Sequence, residues 1–406
     1  MTAFDGELQR RLDGLREQNL FRELRRVDSA QGSRIRLNGA ALLNFSANDY
    51  LGLAAHPALK AAAREAVETY GAGAGASRLI CGSLAPFHEL EAALAAFKQT
   101  EAALSFATGY AAATGVIPAL MGAGDIIILD KLVHACIVDA ARLSGAKLRV
   151  FAHNDLDDLA EKLAWAETAA VGAGGRRTAQ ILVVTESVFS MDGDRAPLRE
   201  IVALKEKHGA WLMVDEAHAT GVLGRHGRGL ADELGVSGGI EIQMGTLGKA
   251  LGAAGGYICG SRALIDFLVN RARSLIFSTA PVPAAAAAAT AGIRLAQSAE
   301  GDARRQILRE RTAGLRVACG LPTSEFVSAI VPLILGDEGR TLAAAAHLRA
   351  QNVFVPAIRY PTVARGAARL RFTATAAHTP EDIAQLAGVM TGLPGGGRSL
   401  KLGDRR

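Results

Sequence analysis

The chain has 406 residues, half of them hydrophobic, and a formal charge of +5 at pH 7. That length suffices for one large domain and a smaller one, and no apolar run reaches membrane-spanning length, the longest candidate being the alanine-rich 281–291. Aromatic residues are sparse and bases are interleaved with acids outside 22–26 and 398–406, so no nucleic acid and no membrane is expected as a partner, while the mild positive field suits an anionic small substrate.

The first seven residues have neither a basic n-region nor an apolar h-region, so no secretion signal is expected. Cys81, Cys136, Cys259 and Cys319 lie far apart without a CxxC pair. A disulfide framework and structural zinc are therefore not expected, no metal is assigned, and a cytoplasmic location fits.

In chain order, apolar residues at helical spacing (Leu8, Leu12, Leu15, Leu20) predict a helix over 1–27. Gly32, Asn38 and Gly39 then punctuate a hairpin-like region before Leu42 to Phe45. Residues 1–45 form this N-terminal helix and arm. From about 58 to 285 strand and helix patterns alternate, which predicts a parallel α/β sheet. The strands are expected at 125–129, 148–151, 181–185, 211–214, 240–244 and 256–259. Their unbroken apolar character suits burial on both faces.

Pro281-Val282-Pro283 and the alanines after it open a helical stretch to about 315. The large domain is accordingly placed at 46–285 and a smaller α+β C-terminal domain at 286–393, with strands at 329–335, 353–358 and 370–372. The glycine-rich tail 394–406 is expected to be disordered.

The chemistry concentrates where strands end. The apolar run before Gly245-Thr246-Leu247-Gly248-Lys249 closes in a glycine-rich turn with one lysine. Held among glycines and apolar groups, a lysine loses solvation, which favours the neutral amine that forms a Schiff base. Trp211 to Val214 runs into Asp215 and His218, and Ile181 to Val184 into Glu186 and Ser190. An acid at a neighbouring strand end is what the pyridinium nitrogen of pyridoxal 5'-phosphate (PLP) requires, and ligands of open α/β sheets bind outside the carboxyl ends of strands. Taken alone, Asp215 reads equally well as a helix N-cap; the set of three strand ends does not.

Two phosphate-loop patterns fail. Gln243 stands where a Walker loop has its first Gly, and Ala250 follows the lysine where Ser or Thr would hold magnesium. The Gly71 to Ala76 repeat follows a helix rather than a strand and reads as a loop near a substrate. Phosphate could instead be held at Thr108-Gly109-Tyr110, a Gly turn opening a helix, although the same residues also suit an ordinary helix start. Ser190, Thr246 and Lys249 could complete that shell. His134 either stacks on a planar ring or is a satisfied structural histidine. His153, His208 and His226 carry no distinguishing context, and His88-Glu89 lacks a zincin's second histidine.

With Asn48-Asp49-Tyr50-Leu51-Gly52-Leu53, Thr185 to Gly193, Val214 to His218 and Thr246 to Lys249, the chain resembles the α-oxoamine synthases, a group of fold-type-I PLP enzymes, from about 12 to 390. The resemblance implies a large domain with a mostly parallel central sheet, a smaller α+β domain, PLP as cofactor, and a decarboxylative condensation of an amino acid with an acyl thioester. Phe151 to Asp155, Ala357 to Val363 and Ala368 to Thr373 are most similar to the members of biotin biosynthesis, which join L-alanine to pimeloyl-CoA or a pimeloyl carrier protein. A sister synthase joining glycine to succinyl-CoA or acetyl-CoA is the alternative. Ala364, Ala74 and Ala76 depart from the usual pattern near the expected substrate surfaces.

Carried over onto this chain, Lys249 would hold PLP as a Schiff base, Asp215 would pair with the ring nitrogen, His134 would stack on the ring, and His218 would bond its phenolic oxygen. Gly109, Tyr110, Ser190 and Thr246 would hold the cofactor. Arg22, Asn48, His134, Thr362 and Arg371 would face substrate, Arg371 taking the amino acid carboxylate. The resemblance further implies a homodimer with shared active sites, Ser278 and Thr279 reaching the partner's phosphate.

Overall fold

A computed structural model describes residues 2–172, 175–322 and 328–393. The expected disordered tail at 394–406 lies outside the described residues. The chain divides into two compact units, one of residues 49–190 and 194–306, the other of 1–48, 191–193 and the part from 307 onward.

Helix α1 (Ala3–Glu17) opens the chain on a capping box between Thr2 and Asp5. It stops well before the expected residue 27. Asn19 adopts the left-handed conformation (φ 57°), and the Leu20 N–H bonds back to the Leu15 carbonyl at 2.8 Å. This is a Schellman-type ending in which Asn replaces the usual Gly. Strands β1 (Arg34–Leu37) and β2 (Ala40–Asn44) pair antiparallel through Asn38-Gly39, both at positive φ, as a two-residue hairpin requires.

The larger unit follows with α2 (Pro57–Tyr70), a π-helical turn at Arg78–Gly82, α3 (Ala85–Lys98), β3 (Ala102–Phe106), α4 (Gly109–Leu120), β4 (Ile126–Asp130), α5 (Ala135–Ser144), β5 (Lys147–Phe151), α6 (Leu156–Ala169), β6 (Ile181–Glu186), α7 (Leu198–Lys207) and β7 (Trp211–Asp215). Short α8 (Leu230–Glu233), β8 (Ile242–Thr246), β9 (Gly256–Gly260), α9 (Arg262–Arg271), short α10 (Arg273–Ile276) and α11 (Pro283–Ala296) complete it. The sheet order is β3-β9-β8-β7-β6-β4-β5. Every pairing from β8 to β5 is parallel; β9 alone runs against its neighbours. β3, β4, β6 and β9 are buried at every residue, which explains their continuous apolar sequences. Val116, Ile117, Ile127, Leu182, Met213 and Ile258 share one core.

The expected domain boundary near 285 differs from this division. Pro283 sits in the first turn of α11, a favoured position, and α11 packs on α2 and α3 of the larger unit. The division falls inside α12 (Ala299–Ala318). The smaller unit then adds β10 (Ile330–Gly336), α13 (Glu338–Ala350), β11 (Val353–Phe354), β12 (Ala357–Ile358), β13 (Ala368–Thr373) and α14 (Pro380–Met390). β10, β13 and β12 form an antiparallel sheet, while β11 extends the β1–β2 pair. The single strand expected over 353–358 is thus two: Pro356, which has no N–H to donate, separates segments that pair with different sheets.

Candidate active site

The carboxyl ends of β6, β7 and β8 bear Glu186, Asp215 and Thr246. Parallel register sets Glu186 opposite Asp215 and Asp215 opposite Met244. The turn after β8 closes through Leu247 N–H to the Gly255 carbonyl and Ala253 N–H to the Leu247 carbonyl, both at 2.9 Å. Gly252 (φ 69°) meets Leu53 so closely that a Cβ would strike its backbone. This turn presents Lys249 with Nζ 2.9 Å from Nε2 of His218.

His218 is buried, and its Nδ1 lies 2.5 Å from the hydroxyl of buried Tyr50. A neutral imidazole carries one N–H. When Tyr50 donates to Nδ1, the single ring proton sits on Nε2, facing Lys249. Tyr50 lies in the Asn48 to Leu53 motif, where a tyrosine beside an aspartate is too common a pattern to signal such a contact.

Asp215 is 5% exposed and accepts the Ala217 N–H at 2.9 Å. Burial pushes its carboxyl above the ordinary range, while Lys249, that N–H and His134 pull the other way. Glu186, equally enclosed, is pushed well above the carboxylate range by burial and by the neighbouring Asp215 charge. The backbone N–H groups of His134 and Ser190 pull the other way, and Oε1 of Glu186 is buried without a hydrogen-bond partner. Its place at the end of β6 is legible in the sequence, whereas its position opposite Asp215 across parallel strands is not.

His134 caps α5, its Nδ1 accepting the Cys136 N–H at 3.2 Å. Burial of part of the ring lowers its basicity, opposed by the Asp215 charge. Nδ1 is therefore an acceptor and the ring is available as a neutral planar surface. Cys136 beside it is pushed up to about 12 by burial and stays a thiol.

Thr108 caps α4 through Oγ1 to the Ala111 N–H at 2.9 Å. The first-turn N–H groups of a helix, here Gly109 and Tyr110, have no partner within the helix. Gly256 approaches this end so closely that a Cβ would collide with the Gly109 backbone. A Cβ on Gly109 would lie 3.9 Å from Cβ of Thr246, so the α4 start and the β8 end are neighbours. Thr246 donates to the Gly255 carbonyl at 2.9 Å and accepts the Gly248 N–H at 3.2 Å. Ser278 and Thr279 are exposed, and Thr279 bridges to Ser77.

In the smaller unit Arg371 of β13 is 6% exposed and donates to Oδ1 of Asn48 and Oγ1 of Thr373, each at 3.0 Å. Arg22 donates to the Tyr360 carbonyl at 3.1 Å. The exposed Thr362 bonds through its N–H to the Arg359 carbonyl at 3.0 Å. The substrate-side candidates therefore form two local groups in this unit, Asn48 with Arg371, and Arg22 with the turn before Thr362.

The larger unit's donor set suits PLP: an enclosed carboxylate for a ring N–H, a lysine amine, a planar imidazole, and a helix start with a threonine beside it for a dianionic phosphate. Among the described residues no group of three or more His, Cys, Asp or Glu could hold a metal ion.

Comparison with known proteins agrees. The aminotransferase class I and II family matches residues 40–390. The 8-amino-7-oxononanoate synthase of Pelobacter propionicus is 48% identical over 382 residues, 93% of this chain and 95% of that protein. Among solved structures, a serine palmitoyltransferase from S. paucimobilis with bound PLP has a TM-score of 0.86 at 31% identity, covering 95% of this chain and 96% of its own. The 8-amino-7-oxononanoate synthase of Francisella tularensis has a TM-score of 0.71 at 27% identity, covering 86% and 97%. The chain belongs to the aminotransferase class I and II family and, within it, to the family of the 8-amino-7-oxononanoate synthases.

Proposed function

We propose that this protein is a PLP-dependent acyltransferase of biotin biosynthesis. It condenses L-alanine with a pimeloyl thioester, of coenzyme A or of a carrier protein, to 8-amino-7-oxononanoate, releasing the thiol and CO₂. The observation that carries the reading is the Tyr50–His218–Lys249 row ending one strand away from Asp215, in a chain 48% identical to a protein of that name.

Bound PLP would supply an electron sink for the pair left as the amino acid's Cα proton departs. Lys249 is the covalent anchor and then, as a free amine, the base that removes that proton. His218 orients the amine through its 2.9 Å contact and bonds the phenolic oxygen. Asp215, ionised, accepts the ring N–H and keeps that nitrogen protonated. His134 would offer its planar ring to the cofactor. Gly109, Tyr110, Ser190 and Thr246 hold the phosphate through N–H and hydroxyl groups. Arg371, aligned by Asn48, takes the alanine carboxylate, while Arg22 and Thr362 face the acyl donor.

The protein works as a homodimer with shared active sites, Ser278 and Thr279 reaching the partner's phosphate. Exposed Leu79, Ile80, Phe277 and Val282, the most open of them 79% exposed, support an interface beside these residues. A cytoplasmic location is supported by four cysteines that are all unbridged; no helix among the described residues is long and apolar enough to cross a membrane.

Borohydride reduction of the protein incubated with PLP tests the cofactor assignment. Peptide mass spectrometry should find the reduced pyridoxyl group on Lys249. Its appearance on another lysine, or nowhere, would refute the assignment.

A further inference from the structure

His153 lies outside the groups that face cofactor or substrate, yet each of its ring nitrogens meets a carboxylate. Nδ1 is 2.9 Å from Oδ1 of Asp130, and Nε2 is 2.8 Å from Oδ2 of Asp194. Its side chain is 9% exposed, and the ring stands edge-on to Phe189, centroids 4.2 Å apart at 90°. Two acceptors on opposite sides require two donors, so the ring is an imidazolium. Asn154 repeats the same connection: its N–H reaches Oδ2 of Asp130 at 3.0 Å, and its amide reaches Oδ2 of Asp194 and the Arg195 carbonyl, each at 3.1 Å.

The two aspartates hold different pieces of the site. Asp130 ends β4 and accepts the Leu132 N–H at 2.8 Å, which shapes the turn leading to His134. Asp194 closes the segment after β6: the Phe189 N–H bonds to the Asp194 carbonyl and the Ala196 N–H to the Ser187 carbonyl, both at 3.0 Å, while Val188 bridges Arg195. Ser190 lies in that segment. Phe189, against the His153 ring, is its immediate neighbour.

We infer that His153, bridging Asp130 and Asp194 as a cation, is a positioning residue that fixes the His134 turn and the Ser190 segment in their cofactor-binding arrangement. The inference rests on the reading of the site as a PLP site. Burial opposes charge on His153, and the hydrogen bonds and charges of the two aspartates outweigh it, pushing the ring up to about 9. Asp158 of α6 is turned to the Ala152 N–H and to Lys162, and Arg195 pairs with Glu233. Because the folded value is raised above the ordinary 6.5, the bridge is fully present below pH 6.5 and is lost as pH rises through 9.

The test is PLP affinity, measured by titrating the apoprotein between pH 7 and 10, for wild type, His153→Gln and Asp194→Asn, with histidine NMR reporting the His153 titration. His153 should titrate near pH 9 in wild type and lower in Asp194→Asn. At pH 7.5 the PLP dissociation constant should rise at least tenfold in His153→Gln, with an unchanged circular dichroism spectrum. The wild-type affinity should also lose an additional step near pH 9 that His153→Gln lacks. Asp194→Asn, which keeps the histidine, should show that step at lower pH. A His153 titrating near 6.5, or a His153→Gln affinity within twofold of wild type, would overturn the inference while leaving the cofactor assignment standing. Failure of wild type itself to bind PLP would overturn both.

Discussion

The amine of Lys249 sits 2.9 Å from Nε2 of His218, whose Nδ1 is in turn 2.5 Å from the Tyr50 hydroxyl. Replacing Tyr50 by Phe leaves Nδ1 buried without that partner, a cost of about 1–3 kcal/mol. The variant should melt several degrees lower. The pH at which the bound cofactor's absorbance changes should also shift, because the tautomer facing Lys249 is no longer selected. Thermal denaturation and a spectrophotometric pH titration read both effects. Lys249→Ala should fold normally and lose turnover altogether.

Asp215→Asn keeps the side-chain shape and the Ala217 contact but removes the charge that holds the ring nitrogen protonated. PLP should still bind. The turnover number should fall roughly 10²–10³-fold, the scale on which a single electrostatic group at a reacting centre acts. Steady-state kinetics with cofactor occupancy measured in parallel separate this outcome from a simple loss of PLP.

Burial and the neighbouring Asp215 charge push Glu186 well above the carboxylate range. A carboxyl whose folded value is raised contributes stability that is present below its unfolded value of about 4.5 and is lost as pH rises toward the folded value. Glu186→Gln, neutral and of the same shape, should therefore match wild type near pH 4.5 and become increasingly more stable than wild type at higher pH. Glu186→Ala likewise removes the titrating carboxyl and should lose the same pH dependence. Urea unfolding across pH checks both.

Arg371 is buried and aligned by Asn48 and Thr373. Arg371→Ala should lower kcat/KM for the amino acid by about 2–5 kcal/mol, chiefly through KM, and leave the KM of the acyl thioester nearly unchanged. Measuring the two Michaelis constants separately tests the assignment of this arginine to the carboxylate.

Much of this was legible in the sequence because the parallel strands are buried on both faces and so read as unbroken apolar runs that end in polar groups. β4, β6, β7 and β9 appear within a residue or so of where those runs predict them. β3 was not anticipated: Ala102-Ala103-Leu104-Ser105-Phe106 has little intrinsic strand character and is a strand because it pairs with β9. The helix expected to 27 ended at Glu17 because Asn19 could take a left-handed turn that periodicity does not register. Among the site residues, Lys249, His218 and Asp215 stood out by motif. Tyr50, Glu186 and His153 each face residues far along the chain, His218, Asp215, and Asp130 with Asp194, and a histidine between two aspartates carries no local signature when those aspartates are at 130 and 194.

The central claim is tested most directly by thiol release from the PLP-loaded protein, with alanine, glycine or serine each offered against pimeloyl-, succinyl- and acetyl-CoA. The account predicts release with alanine and pimeloyl-CoA and little with any other pair. Preferred release with glycine and a short acyl-CoA would contradict it, moving the protein to a sister synthase with the same lysine and cofactor.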